Sequence, residues 1–427
     1  MAFVGSRRLV GLGFGAIQSG LFVYEAHRTG EYAPPLVVDV RADLVAGLRA
    51  DAGHYRVNIA RADRIDVADV GPLNVADSTV ATEAEQIVAV IASADELVTA
   101  LPSVDHYCTD APNSPHLLVA EGLRRRTKRD PLVIYCSENH RNAAALMREA
   151  VVSHAAEEPA DVNRLRGRAT YVDTVIGKMS GVITDEEELR ELGLATITPT
   201  LPSAFLVEEF DRILVSTIGD GLHPGIPVLR EVDDLAPFED AKLLGHNATH
   251  ALAGFLGSLL GLSLVADLRG IEGAMAFLRA AFLEESGASL RRRWAGAEEL
   301  FTEAGYEAFA DDLLERMVNP WLGDTIERAG RDPRRKLGWE DRLVGLLRLG
   351  LSEGVPTPRY AMGVAAGLEI LRRGGERGAD EALLRACWPD EVPDAEARAV
   401  LEIVADGRAL LEAWLTGGFP ALLDQRA

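Results

Sequence analysis

The fold is decided by Leu9-Val10-Gly11-Leu12-Gly13-Phe14-Gly15-Ala16, close to the start of the chain. The apolar residues that end at Leu12 predict a short buried strand, and the glycines that follow predict a tight turn into a helix over 16–29. A second predicted strand, 36–40, carries Asp39 near its carboxyl end. A strand, glycine turn, helix, strand and acid in this order are typical of a dinucleotide-binding fold.

The alternation of strands and helices continues to about residue 154 and then changes. Between residues 169 and 217 the β-branched runs predict added strands or a connecting region. After about residue 237 the apolar residues follow a helical repeat between short Gly and Pro breaks. We therefore expect an α/β protein, in which a Rossmann-like doubly wound sheet with added strands over 1–235 precedes a mainly α-helical domain over 236–427.

Composition narrows the class of partner. The 427 residues carry 44 basic and 66 acidic side chains, a net charge of −22, which argues against binding to nucleic acid or to an anionic membrane surface. The chain lacks an apolar run long enough to span a bilayer, and its three cysteines are widely spaced, which fits a reducing cytoplasm. We expect a cytoplasmic monomer or small homo-oligomer that acts on a small molecule.

The glycine turn and Asp39 predict the cofactor. Gly13 and Gly15 would let the backbone approach a pyrophosphate, although Gln18 stands where the third glycine of the fingerprint belongs. Asp39 would repel a 2′-phosphate and therefore favours NAD over NADP, a preference that Arg41 moderates. The alternative is an ordinary glycine turn in a sheet that binds another ligand.

A polar segment in the helical half predicts the chemistry. Lys242, His246, Asn247 and His250 lie within nine residues; at about 100° per residue, Asn247 falls about 140° from Lys242, so all four fit one broad helix face. A neutral Lys could accept a hydroxyl proton while hydride leaves the carbon, and an Asn amide could stabilise the alkoxide. The alternative is a polar face at a domain junction. A metal site is not expected, since the two histidines have no further ligand nearby.

Several motifs together resemble the polyol-specific long-chain dehydrogenases over nearly the whole chain. Gly13–Gly20 is similar to the cofactor loop of that family, and Lys242, Asn247 and His250 match its K-x4-N-x2-H spacing. The chain also resembles the branch of that family that acts on phosphorylated substrates. The similar segments are Ser137-Glu138-Asn139, Tyr171–Lys178, Glu284–Ala288 and Asn319–Leu337.

The resemblance implies an NAD-dependent enzyme that interconverts a polyol, expected to be a hexitol 1-phosphate such as mannitol 1-phosphate, and the ketose phosphate. It implies that Lys242 is the general acid/base, that Asn247 stabilises the oxyanion and that His250 orients the substrate. The implied cofactor contacts are Gly13, Gly15, Ala16, Ile17, Gln18, Asp39, Ser137, Glu138 and Asn139, and the implied substrate contacts are Asp173, Arg328 and Lys336. Gln18 and Asp173 depart from the family pattern, so a free-polyol or sugar-acid dehydrogenase and a non-redox nucleotide-binding protein remain alternatives.

Overall fold

A computed structural model describes residues 4–154, 159–209, 212–219 and 221–423. The chain divides into two compact units, Met1–Leu235 and Ala236–Ala427. In the described residues, no helix is both long enough and apolar enough to cross a membrane.

The first unit is built on an eight-stranded sheet, in the order β12-β11-β8-β7-β6-β1-β2-β5. Its strands are β1 (Leu9–Leu12), β2 (Leu36–Asp39), β5 (Asn74–Asp77), β6 (Glu96–Thr99), β7 (Leu132–Cys136), β8 (Ala169–Val175), β11 (Ile213–Ser216) and β12 (Leu229–Val232). From β5 to β8 all neighbours are parallel, and β11 joins β8 antiparallel. Because connections leave β1 in opposite directions, a crevice forms at the carboxyl ends of β1 and β6, where such folds bind ligands.

A smaller four-stranded sheet accompanies it, in the order β4-β3-β10-β9. Its strands are β3 (Tyr55–Ala60), β4 (Ile65–Val70), β9 (Ser180–Ile183) and β10 (Ala204–Glu208). Successive residues of β1 enter different cores, with Leu9 in one apolar cluster and Val10 in the other. This two-sided burial is expected of a parallel sheet covered on both faces. The expected α/β class and the added strands are confirmed.

Helices connect the strands of the first unit. They are α1 (Tyr24–Thr29), α2 (Ala42–Ala50), α3 (Ala81–Ser93), α4 (Pro115–Arg125), α5 (Ala143–His154), α6 (Pro159–Arg166) and α7 (Glu186–Glu191). The helix predicted over 16–29 is present, but residues Gln18–Val23 form a wider π-helical turn at its start.

The second unit is mainly helical, as expected. Its helices are α8 (Ala236–Asp240), α9 (Ala248–Leu260), α10 (Ala274–Ala280), α11 (Ala288–Arg293), α12 (Glu303–Met317), α13 (Ile326–Gly330), α14 (Pro333–Lys336), α15 (Arg342–Glu353), α16 (Pro358–Arg373), α17 (Asp380–Arg385), α18 (Asp394–Gly417) and α19 (Pro420–Leu423). Two further π-helical turns, Ala241–Asn247 and Ala281–Gly287, join α8 to α9 and α10 to α11.

Helix α9 runs through the core of this unit, and every residue from Ala248 to Gly257 except His250 is buried. Its glycines permit a close approach of α13, since a Cβ at Gly254 would lie 2.6 Å from the backbone of Ala329. The approach brings the loop before α13 beside the first turns of α9, and this pairing positions the polar groups described below.

Candidate active site

A cavity of about 540 Å³ opens at the carboxyl ends of β1, β2, β6 and β7 in the first unit. The predicted cofactor residues that line it are Gly13, Gly15, Ala16, Ile17, Asp39 and Ser137. Sequence analysis missed Ser78, Asn113 and the segment 180–182, which also line the cavity. They come from a turn, a loop and the second sheet, where no motif marks them.

The glycine turn fits a bound dinucleotide. Gly13 has a φ of +84°, and a Cβ there would lie 2.6 Å from the carbonyl oxygen of Ala100. At Gly15 a Cβ would meet no atom within 4 Å, so any side chain there would project into the space that the turn leaves open. The turn is therefore open to a group that needs close contact with backbone N–H donors, such as a pyrophosphate.

The carboxylate of Asp39 already accepts several hydrogen bonds from neighbouring residues. Its Oδ2 accepts from the backbone N of Phe14 at 2.7 Å, and its Oδ1 accepts from the backbone N and the Nε of Arg41 at 2.9 and 3.1 Å. Arg41 also donates to the carbonyl oxygen of Phe14 at 3.0 Å. Nη2 of Arg41 donates to Oδ2 of Asp39 at 3.3 Å as well. Because a carboxylate offers about four acceptor positions, a ribose hydroxyl must displace part of the Arg41 contact to bind Asp39.

Gln18 is fully buried, and neither polar atom of its amide has a hydrogen-bond partner in the described structure. Its side chain lies beneath β1, since a Cβ at Gly11 would be 2.4 Å from Nε2 of Gln18. The room that a third glycine normally provides between strand and helix is therefore supplied here by Gly11.

The three residues of the Ser137-Glu138-Asn139 segment differ in placement. Ser137 lines the cavity, whereas Asn139 is exposed. Glu138 is buried, where it accepts from the backbone N of Leu101 at 2.8 Å and from the hydroxyl of Thr99 at 2.9 Å. Burial raises the pKa of its carboxyl. In this structure Glu138 holds the loop after β6, which forms one wall of the cavity.

Asp173 lies in β8, half-buried. Its Oδ1 accepts from the backbone N of Ala144 at 2.8 Å, at the start of α5, and burial raises the pKa of its carboxyl. A carboxylate in this place satisfies a free N–H and complements the helix dipole.

In the second unit, the segment that carries Lys242 and Asn247 forms a π-helical turn. The sequence analysis placed the two residues on one broad face of an α-helix, about 140° apart; the segment is π-helical instead. A π turn is closed by hydrogen bonds between residues i and i+5, so residues five apart lie on the same side. Lys242 and Asn247 are five residues apart and therefore share one side of this turn, and His250 follows in the first turn of α9.

Neighbouring hydroxyls support this turn. Ser286, from the other π turn, donates to the carbonyl oxygen of Leu244 at 3.0 Å, and Thr249 donates to that of Gly245 at 2.9 Å. The hydroxyls of Thr249 and Tyr360 are 2.6 Å apart. These hydroxyls donate hydrogen bonds to backbone carbonyl groups that would be paired differently in an α-helix. The buried hydrogen bonds hold the backbone that carries Lys242 in place.

The electrostatic setting favours a neutral amine. Burial lowers the pKa of Lys242 to about 8, with the charge of Arg342 acting in the same direction and that of Glu239 against it. Burial also lowers the pKa of His246 well below its usual value, as do the charges of His250, Arg316, Lys242 and Arg342. A lysine that exchanges its proton near neutral pH suits general acid/base catalysis.

His250 is held by a carboxylate that the sequence analysis did not single out. Its Nε2 lies 2.5 Å from Oδ2 of Asp324, whose side chain is only 1% exposed. The other oxygen, Oδ1, lies 3.6 Å from Nη1 of Arg328, whose side chain is 41% exposed. The i, i+4 spacing of Asp324 and Arg328 was the available signal.

Lys336 occupies a different environment from Arg328. It is 3% exposed, and its ammonium donates to the carbonyl oxygens of Ala329 and Arg331 at 2.7 and 2.5 Å. Burial lowers its pKa to about 8, with Arg342, Arg335 and Arg331 acting in the same direction. Lys336 thus anchors the loop after α13, while Arg328 keeps much of its surface free.

Both parts of the chain match models of one family. Residues 7–218 match the mannitol dehydrogenase Rossmann domain, and residues 234–389 match the mannitol dehydrogenase C-terminal domain. The chain belongs to the mannitol dehydrogenase family. Its family places it among oxidoreductases, and the boundary between the two matched segments falls within a few residues of the junction between the compact units.

Two relatives within this family are mannitol-1-phosphate 5-dehydrogenases. That of Bacillus licheniformis is 30% identical over 331 residues, covering 77% of this chain and 79% of the relative. That of Exiguobacterium sibiricum is 27% identical over 341 residues, covering 78% and 77%.

Two solved structures show the same fold at 16% identity. Substrate-free D-sorbitol dehydrogenase superposes with a TM-score of 0.77, covering 98% of this chain and 95% of that one. Pseudomonas fluorescens mannitol 2-dehydrogenase, in ternary complex with NAD and D-mannitol, gives a TM-score of 0.70, covering 99% and 94%.

The candidate ligands for a metal ion are the His, Cys, Asp and Glu side chains of the described residues. Among the described residues, no group of three or more His, Cys, Asp or Glu side chains could hold a metal ion. The rings of His246 and His250 are edge to face, with centroids 6.3 Å apart.

Proposed function

We propose that the protein is an NAD-dependent dehydrogenase that interconverts a hexitol 1-phosphate, such as mannitol 1-phosphate, and the ketose phosphate, such as fructose 6-phosphate. The observation that carries the proposal is Lys242, a lysine with a pKa of about 8 on the same side of a π turn as Asn247. Membership of the mannitol dehydrogenase family supplies the reaction class.

The cofactor would be held by residues of the first unit. Gly13, Gly15, Ala16 and Ile17 would surround the pyrophosphate, and Asp39 would bind the adenosine ribose after Arg41 shifts. Ser137 lines the same cavity. Bound NAD supplies a hydride acceptor in one direction and, as NADH, a hydride donor in the other.

In polyol oxidation, the neutral Nζ of Lys242 would take the proton of the reacting hydroxyl. The amide of Asn247 would donate to the same oxygen, which stabilises the developing alkoxide. In ketose reduction, the ammonium of Lys242 would return the proton to that oxygen. His250 would bind a neighbouring hydroxyl and orient the chain of the substrate.

Two observations support a phosphorylated substrate. The B. licheniformis relative acts, by its name, on mannitol 1-phosphate, and Arg328 offers a part-exposed guanidinium, the preferred group for phosphate. Lys336 would add positive charge behind it. The same Lys336 gives a reason to keep a free polyol as the second candidate, because its ammonium already serves two backbone carbonyls.

The decisive experiment compares NADH oxidation with fructose 6-phosphate and with fructose. We expect kcat/KM to be at least about a hundredfold higher for the phosphate, a difference of about 2.7 kcal/mol. Comparable turnover of fructose would favour a free-polyol dehydrogenase. Tight NADH binding without turnover on either compound would favour a non-redox nucleotide-binding protein.

The roles of the cations have a separate test. Arg328→Ala and Lys336→Ala should raise the KM for fructose 6-phosphate with little change in the Kd of NADH. Exposed Arg373 on α16 provides the control as Arg373→Ala, for which KM should stay within twofold. An unchanged KM in both test variants would overturn the anion-binding role.

A further inference from the structure

Asp324 lies where two proposed substrate-binding groups meet. Its carboxylate approaches His250 through Oδ2 at 2.5 Å and Arg328 through Oδ1 at 3.6 Å. The side chain is 1% exposed, and Oδ1 is buried without a hydrogen-bond partner in the described structure. A buried carboxylate oxygen in this state is costly unless a nearby charge compensates it. Arg328 supplies that charge without yet making a hydrogen bond.

The backbone gives Asp324 a fixed position. Its carbonyl oxygen accepts from the backbone N of Val265 at 2.8 Å, and the backbone N of Ile326 donates to the carbonyl oxygen of Ser263 at 2.8 Å. Thr325 then caps α13 by accepting from the backbone N of Arg328 at 3.1 Å. The backbone of Asp324 and of the residues that follow it is thus held by hydrogen bonds. Its carboxylate therefore has a fixed position from which it can orient other groups.

The chemistry of the contact fixes one nitrogen of His250. An ionised carboxylate has only acceptors, so Nε2 of His250 must carry the proton that lies between them. Whenever the ring is neutral, this contact holds it as the Nε2–H tautomer, with Nδ1 as the nitrogen that can accept a hydrogen bond from a hydroxyl. Carboxylates orient histidines in this way at many catalytic and metal sites.

We propose that Asp324 is a positioning residue that holds His250 and Arg328 so that each can bind a different end of the same substrate. Through Oδ2 it fixes the tautomer and rotation of the imidazole that binds a hydroxyl. Through Oδ1 it restrains the guanidinium that binds the phosphate. This inference rests on the proposed function for the identity of the substrate.

The test is Asp324→Asn, which keeps the shape of the side chain and removes its charge. An amide can turn either its oxygen or its NH2 toward Nε2, so the single tautomer should become a mixture. Nitrogen-15 NMR of the histidine rings measures this without substrate, with His250→Gln assigning the signal. KM for fructose 6-phosphate should rise at least tenfold, while the Kd of NADH stays within twofold.

Asp311→Asn is the matched control, because it removes an exposed ion pair with Arg279 and should change neither readout. A double-mutant cycle separates the effect that Asp324 exerts through His250 from the effect through Arg328. After His250→Gln, adding Asp324→Asn should raise KM by less than it does in the wild-type protein. If Asp324→Asn does not fold, Asp324→Ser takes its place, since a hydroxyl can also donate or accept.

An unchanged tautomer in the variant would overturn the proposal, and so would an unchanged KM. An equal loss of NADH binding would also overturn it, because the effect would then be a general loss of structure. Turnover of the wild-type protein on fructose 6-phosphate tests the proposed function by itself. The tautomer measurement does not depend on that result.

Discussion

Replacing Lys242 by Arg keeps a long cationic side chain but removes the ability to lose a proton near neutral pH. The structure allows the effect of that ability to be calculated. With a pKa of about 8, about 9% of Lys242 is neutral at pH 7, against about 0.03% for an ordinary lysine. The site thus raises the concentration of the basic form about 300-fold.

The pH dependence follows with a definite sign. Polyol oxidation needs the neutral amine, so kcat/KM should rise with pH and level off above the pKa of Lys242, about 8. Ketose reduction needs the ammonium and should decline above the same pH. Lys242→Arg should lower turnover by about 10²–10⁴-fold in both directions, the usual contribution of general acid/base catalysis.

The assay is steady-state NAD(H) absorbance over a range of pH, together with NADH titration by fluorescence to show that the cofactor still binds. Removing the positive charge of Arg342, which helps to lower the pKa of Lys242, should move the oxidation limb to higher pH in Arg342→Gln. Arg373→Gln, at an exposed position on α16, is the matched control.

Two results would refute the reasoning. One is a Lys242→Arg variant that keeps more than about a tenth of wild-type turnover, since a guanidinium cannot act as the base. The other is a pH profile of wild-type polyol oxidation in which kcat/KM levels off only near the ordinary pKa of lysine, 10.5. Burial would then have failed to lower the pKa of Lys242.

Three further outcomes are expected. Arg41→Ala should free acceptor positions on Asp39, so the ratio of NADPH to NADH dissociation constants should rise at least fivefold in fluorescence titrations; an unchanged ratio would exclude Arg41 as a selectivity determinant. Glu285→Gln removes the charge of a buried carboxylate that binds the backbone N of Arg359 at 3.0 Å and its guanidinium at 2.9 Å; denaturant unfolding should show a loss of about 3–5 kcal/mol, and a loss below about 0.5 kcal/mol would contradict this role. Gly254→Val should lower Tm by several degrees, because its Cβ would lie 2.6 Å from the backbone of Ala329; an unchanged Tm would mean that α13 can move away freely.

The first unit was the more predictable half. The glycine turn and Asp39 lie together in the sequence, and a parallel sheet brings the ends of β1 and β2 to the same edge. Their placement around the cavity therefore follows from local pattern and topology. Residues 180–182 could not be foreseen, because β9 reaches the cavity through pairing with β10 in a second sheet. Glu138 shows another limit, since a motif does not tell which side chain turns inward.

In the second unit, sequence identified the residue types but not their geometry. The spacing of Lys242 and Asn247 predicted one broad α-helical face with about 140° between them, whereas residues five apart in the observed π turn lie on the same side. Hydrophobic periodicity does not reveal such a turn, because the apolar residues on either side remain helical. Asp324 was missed because its partner His250 is 74 residues away, and no local pattern reports a contact at that separation.

The π turn also affects how this segment can change in length. It holds one residue more than an α-helical turn, so it behaves as a single-residue insertion inside a continuous helix. Deleting one residue between Lys242 and Asn247 would leave them four residues apart, a spacing that an unbroken α-helix also places on one side. Such a variant should therefore keep the amine and the amide on the same side, whereas inserting one residue there would rotate the two side chains apart by about 100°. The segment should tolerate a one-residue deletion more readily than an insertion.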